Sequence, residues 1–111
     1  MNKLPMSPAA SALLRTLIAR SRVARDRILL TDVHSVDWHS LTFTGERHHL
    51  SLRVTGSDSA AAVARMCKDL ENAEFSIPGV IVADIAVVGE PARTLDGSMI
   101  VTVEALTVGA D

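Results

Sequence analysis

Residues 36–55 read VDWHSLTFTGERHHLSLRVT, two runs of alternating polar and apolar residues on either side of Gly45-Glu46. Alternation of this kind marks strands with one buried face, and a glycine-led pair between two such runs marks a tight hairpin turn. A turn at Gly45-Glu46 fixes the register by counting outward: Phe43 faces His48, Leu41 faces Leu50, His39 faces Leu52 and Trp38 faces Arg53. One face then carries Leu41, Phe43, Leu50, Leu52 and Val54 toward the core. The other carries Trp38, Ser40, Thr42, His49, Ser51 and Arg53. One apolar and one wet face is the pattern of an antiparallel sheet covered on one side only.

The flanking segments supply the cover. After a loose lead-in at residues 1–6, Ser7-Pro8 opens a helix, because serine caps and proline is tolerated at the first helical position. Leu13, Leu14, Leu17 and Ile18 recur at helical spacing, and the helix is expected to end at residues 25–28. Residues 28–34 read as a bulged extension of the first strand in preference to a short strand of their own. Thr55-Gly56-Ser57-Asp58 breaks the β pattern and starts a second helix, with Ser57 or Asp58 as cap. Val63, Met66, Cys67, Leu70 and Ala73 form its apolar stripe. Ile77-Pro78-Gly79 ends that segment, residues 80–88 form a strand rich in β-branched residues, Asp96-Gly97 is a turn, and residues 99–108 are the last strand.

The order helix, two strands, helix, two strands predicts an α+β domain at residues 7–111: a four-stranded antiparallel sheet with both helices on one face. This is the ferredoxin-like arrangement, α-β-β-α-β-β, with its first strand moved to the end of the chain. The implied strand order is third, fourth, second, first, which leaves residues 80–88 and 36–44 as edges. A chain of 111 residues is one domain, large enough for a core without metal or disulfide staples.

Composition narrows the partners. Aromatic residues are 3% of the chain, with no Tyr, and the net charge is −2, so stacking platforms and electrostatic pull for nucleic acid are both lacking. The single Cys67 excludes an internal disulfide framework. No apolar run approaches the roughly 18 residues of a membrane span, and Arg15 interrupts the apolar part of the N-terminal stretch. The expectation is a soluble, cytoplasmic chain with no integral membrane segment; a periplasmic position requires that an anchor has been trimmed.

Few residues invite chemistry. His39 and His48 share a face in the predicted register but lie roughly 13 Å apart, too far to ligate one ion. Cys67 lies on the helix stripe with Val63 and Leu70 and reads as a small hydrophobe. The TGSDS junction resembles an anion site at a helix N-terminus, but Asp58 would occupy the positive end. No catalytic, cofactor or metal residues are assigned. Arg15, Arg20, Arg22, Arg25 and Arg27 form either a solvated face or a surface for an acidic partner or anionic membrane. Trp38 opposite Arg53 could stack on the guanidinium, and Ile100, Leu106 and Val108 point away from the helices if Val101 and Val103 point toward them. Val80 and Val82 lie in an aliphatic edge strand without Lys or an interior Pro. Monomers avoid such faces and edges, so these seven residues are the predicted interaction surface.

The stretch LSLRVTGSDSAAAVARMCKDLENAEF, followed by VIVADIAVV, resembles the small ferredoxin-like domains of bacterial assembly platforms. These are the L- and M-type components of type II secretion and the PilN and PilO proteins of type IV pili. The shared pattern is an apolar strand, a glycine break, a helix ending in Leu-Glu with a following Phe, then an aliphatic strand. The resemblance implies an assembly role and no catalytic residues. The resulting expectation is a non-enzymatic homodimerising interaction domain, open to a further protein partner. The alternative is a small-ligand-binding regulatory domain with its site at a dimer interface; an enzyme using His39 or His48 as acid or base is the third reading.

Overall fold

A computed structural model describes residues 5–109; residues 1–4 of the expected lead-in lie outside them. Helix α1 (Pro8–Ser21) begins where Ser7 Oγ accepts a hydrogen bond from the Ala10 N–H at 3.2 Å. It buries Leu13, Leu14 and Leu17. The helix stops short of residues 25–28 because Arg22 takes the left-handed conformation, φ 60 and ψ 24, and closes the last turn onto the Ala19 carbonyl.

A short 3-10 turn (Arg25–Arg27) leads into β1 (Ile28–His39), one long strand with a bulge where the register slips between Leu30 and Asp32. The chain reverses at residues 40–43, not at Gly45. The Ser40 N–H donates to the Phe43 carbonyl at 2.9 Å, and Ser40 Oγ accepts from the Phe43 N–H at 3.1 Å. Strand β2 (Thr44–Val54) then returns with His39 opposite Thr44 and Trp38 opposite Gly45.

This shift corrects every cross-strand pair of the hairpin. Arg53 faces Leu29 and not Trp38, and Leu41 and Phe43 stand exposed at the turn, outside the core. The physical reason lies in what the glycine does. A Cβ at Gly45 would sit 1.8 Å from the Thr107 carbonyl oxygen, so glycine is required by the close approach of a neighbouring strand. The serine hydroxyl, a local mimic of a backbone acceptor, makes the turn.

Helix α2 (Ser59–Cys67) is tied down differently from the expected cap. Asp58 makes no side-chain bond to the helix; its carboxylate pairs with Arg27, while Ser59 Oγ donates to the Gly97 carbonyl at 2.8 Å. The helix ends at Cys67, and a 3-10 turn (Leu70–Asn72) carries Leu70 into the core. The remaining strands are β3 (Val80–Val87), the short β4 (Ala92–Arg93) and β5 (Met99–Gly109).

These elements make an α+β structure with a five-stranded antiparallel sheet in the order β1-β2-β5-β3, and β4 pairs with β5 beyond the end of β3. The extra strand accounts for the difference from the expected four: residues 92–93, read as loop, continue the edge that β3 begins. Both helices bury their stripes on one face, with Leu17, Val63 and Met66 packed against Leu50, Leu52, Val54, Val101 and Val103. Their C-terminal ends are stitched reciprocally. Arg20 of α1 donates to the Met66 carbonyl at 2.9 Å and also to that of Lys68, and Arg65 of α2 donates to the Ser21 carbonyl at 2.9 Å. Carbonyls that a helix end leaves unpaired are thus satisfied from the neighbouring helix.

Candidate interaction face

The ladder sorts the uncovered side of the sheet into rows, because directly opposed residues share a face. From one end the rows are Leu29–Arg53–Ile100–Ala92, then Asp32–Ser51–Thr102, then His34–His49–Glu104–Ala86. Val36–Arg47–Leu106–Asp84 follows, and Trp38–Gly45–Val108–Ile81 closes the far end. Both end rows are mainly apolar, and most of the charged residues lie in the rows between them.

The predicted surface residues are divided by this register. Trp38, Arg53, Ile100, Leu106 and Val108 lie on the uncovered face, with Trp38 and Arg53 at opposite ends of it. Arg53 donates to the Asp96 carboxylate at 2.6 Å. Val108 is only 8% exposed despite its outward row. Val82 lies opposite Thr107 and packs against the core, and Val80 lies opposite Gly109 on the same covered side. The large apolar residue that edge strand turns outward is Ile81, 51% exposed. Leu29 and Val36, 50% and 58% exposed, complete the apolar frame. Neither was singled out from the sequence; Val36 follows from the alternation that turns Trp38 outward, whereas Leu29 is outward only because of the bulge between Leu30 and Asp32.

The register also joins a histidine pair. His34 and His49 are directly opposed, with ring centroids 5.7 Å apart. Asp32 Oδ2 lies 3.2 Å from His34 Nε2 and 3.8 Å from His49 Nε2, and Glu104 Oε2 lies 3.2 Å from His49 Nδ1. Among the described residues, no three His, Cys, Asp or Glu side chains are arranged to hold a metal ion. Electrostatically the face is split. Arg47, Arg53, His34 and His49 lie on β1 and β2 with one carboxylate, Asp32, among them, whereas Glu104 and Asp84 lie on β5 and β3. Arg47 and Asp84 have no ion-pair partner among the described residues.

His48 belongs to the covered side and is fully buried. Its Nδ1 is 2.7 Å from Ser35 Oγ and its Nε2 is 2.8 Å from Thr107 Oγ1. Burial lowers its pKa below the usual 6.5, opposed by the Glu46 carboxylate. With both ring nitrogens occupied and the ring sealed from solvent, it offers no acid or base to a substrate. His39 is exposed and sits along β1 from Ser35, roughly 13 Å from His48 at about 3.3 Å per residue. Burial raises the Cys67 thiol, against the pull of Arg20, so the thiolate that a nucleophile needs is disfavoured. At the start of α2 the Arg27 hydrogen bond holds Asp58 below its usual carboxylate pKa.

No protein-family model matches the chain, and no curated protein is significantly similar to it in sequence. No helix among the described residues is long and apolar enough to cross a membrane.

Proposed function

We propose that this chain is a non-enzymatic, ferredoxin-like interaction domain that self-associates by packing the uncovered sheet face of one copy on that of a second. The observation that carries the reading is the face itself: Leu29, Val36 and Ile81 stand half-exposed around Arg47 on β2 and the carboxylates Glu104 and Asp84 on β5 and β3. Four strands of up to eleven or twelve residues, at about 4.8 Å between strands and 3.3 Å per residue, give a face of roughly 19 by 36 Å. Two such faces bury on the order of 1,400 Å², inside the ~1,200–2,000 Å² of stable interfaces.

The charges also favour one symmetry. A twofold axis parallel to the strands, between β2 and β5, lays β2 of one copy on β5 of the other with the rows in step. His49 then meets Glu104 of the second copy, Arg47 lies diagonal to its Asp84, and Trp38 faces its Ile81. An axis across the strands through the middle row would stack β2 on β2 and β5 on β5 and set Glu104 against its own copy, a repulsive arrangement. The resemblance to secretion and pilus assembly platforms is consistent with a scaffold of this kind, in which further protein partners join the dimer or its edge strands.

Light scattering after size-exclusion tests the reading. A dimer that dissociates on dilution is expected. Arg47→Glu should weaken it, and mixing that variant with Asp84→Arg should restore a mixed dimer. A wild-type chain that stays monomeric at high micromolar concentration refutes it.

The second reading, a small-ligand regulatory domain, draws on a depression of about 410 Å³ where Ala9 of α1 meets Asp37, Trp38, Glu46 and Thr107. A thermal-shift screen of amino acids, nucleotides and metabolites separates the two. A saturable rise in melting temperature, lost on Trp38→Ala, favours the ligand.

A further inference from the structure

We infer that the depression between the C-terminal ends of α1 and α2 binds a phosphate group carrying more than one negative charge. It lies in the helix layer, away from the sheet face, and is independent of self-association. Its lining is Thr16, Ala19, Arg20, Arg22, Arg65 and Lys68, around a volume of about 550 Å³. That volume falls within the range of small-molecule sites. No carboxylate contributes to the lining, and four of the eleven Lys and Arg residues of a chain with net charge −2 gather there.

The plainest alternative is that these cations only offset two helix C-termini. Each helix end carries about half a negative charge, so the two together balance roughly one of the four positive charges. About three are left over. The arginines are also held in place. Arg20 is fixed by the Met66 and Lys68 carbonyls and Arg65 by the Ser21 carbonyl, which leaves three of five N–H groups on the first and four on the second for another acceptor. The side chains of Arg22 and Lys68 make no hydrogen bond or ion pair among the described residues and are exposed at the rim. Asp69, the nearest acid in sequence, accepts from Asn72 at 2.8 Å and lines a separate depression with Cys67 and Leu70.

Backbone conformation singles out the same place. Arg22 and Asp69, φ 60 and 53, are the two non-glycine residues with positive φ among those described, and they sit at these two helix ends. Glycine would take such a cap without strain, so at position 22 a cationic side chain stands where ease of folding favours none. A multiply charged phosphate accepts several N–H groups at once, which suits two fixed guanidiniums and two mobile cations better than a single carboxylate does.

The phosphate could arrive on a soluble molecule or on a lipid headgroup, and two arms separate these sources. In one, sodium pyrophosphate is titrated at low salt into the isotope-labelled full chain while amide chemical shifts are followed. In the other, sedimentation with phosphatidylcholine vesicles containing phosphatidic acid is measured. Saturable shifts confined to the amides around Arg22 and Lys68 support a soluble ligand; sedimentation alone supports the same chemistry on a lipid. The double variant Arg22→Glu, Lys68→Glu should weaken either by about ten-fold or more, while Arg15→Glu, an exposed α1 residue outside the depression, should not. Arg22→Gly should weaken binding while raising the melting temperature, so lost binding cannot be put down to misfolding. Absence of both responses, or a response equally sensitive to Arg15→Glu, overturns the inference.

Discussion

Replacing His48 by glutamine should remove a pH dependence from folding. The imidazole is fully buried between Ser35 and Thr107, and burial holds its pKa below 6.5. Between that lowered folded value and the unfolded value of 6.5, the unfolded chain binds a proton that the folded chain does not. Stability therefore falls as pH drops through 6.5, and the loss stops growing once pH passes the folded value. For a group that stays neutral in the fold, going from about pH 7.5 to 5.5 removes up to about 1.4 kcal/mol, or roughly 5 °C in melting temperature for a domain of this size. Urea unfolding of wild type and His48→Gln across that interval measures it. Glutamine keeps a polar side chain near both hydroxyls but does not titrate, so the stability gap between the two proteins should close by up to that amount as pH falls. A gap that stays constant refutes the reasoning. Asp58 and Asp96 do not interfere. Hydrogen bonds, from Arg27 for the first and chiefly from Thr94 for the second, hold both below the usual 3.8, so their contributions are present above that value and are lost only in stronger acid.

Other substitutions probe the frame. Gly45→Ala places a methyl group 1.8 Å from the Thr107 carbonyl and should lower stability by about 3 kcal/mol or prevent folding, read by denaturant unfolding. Leu50→Ala should destabilise by about 3–5 kcal/mol, while Leu41→Ala, at the exposed turn, should stay within about 0.5. Equal losses at the two sites would return Leu41 to the core and the turn to Gly45. Arg20→Ala and Arg65→Ala should each lose about 1.5–3 kcal/mol, and a double-mutant cycle should give a non-additive sum because the two residues finish adjoining helix ends.

The sequence pattern conveys which face Leu50, Leu52, Trp38 and Arg53 take but not which residues stand opposite one another, and the placement of the turn explains why. Leu50, Leu52 and Val54 alternate whichever way the turn is placed, so they reach the core in either register. The partners across β1 depend on where the chain reverses. Gly45-Glu46 has the composition of a hairpin turn, but nothing local reveals that β5 will approach Gly45 closely enough to exclude a side chain. Ser40, whose hydroxyl makes the turn, reads in sequence as one more outward strand residue. With the reversal moved, His34 comes opposite His49; Val36 keeps the outward parity of Trp38, and the bulge between Leu30 and Asp32 turns Leu29 outward. At the start of β3, residues 80–83 are all apolar, so alternation cannot tell Ile81 from Val82; only pairing with Val108 and Thr107 does so. The arginines of helix 1 show a similar limit. Arg20 and Arg27 are spent on carbonyls 46 and 28 residues away, distances at which charge patterning is silent.

The crossed arginines of α1 and α2 have a kinetic consequence. Each donor reaches its acceptor across 46 or 44 residues of chain, a span that contains the whole hairpin. Local bonds close each last turn, but the Ser21 and Met66 carbonyls are satisfied, among the described residues, only from the other helix, so a peptide of either one should fray there. In the intact molecule those turns should open only when the helix layer separates as a unit, so their amides should exchange with solvent at one shared rate.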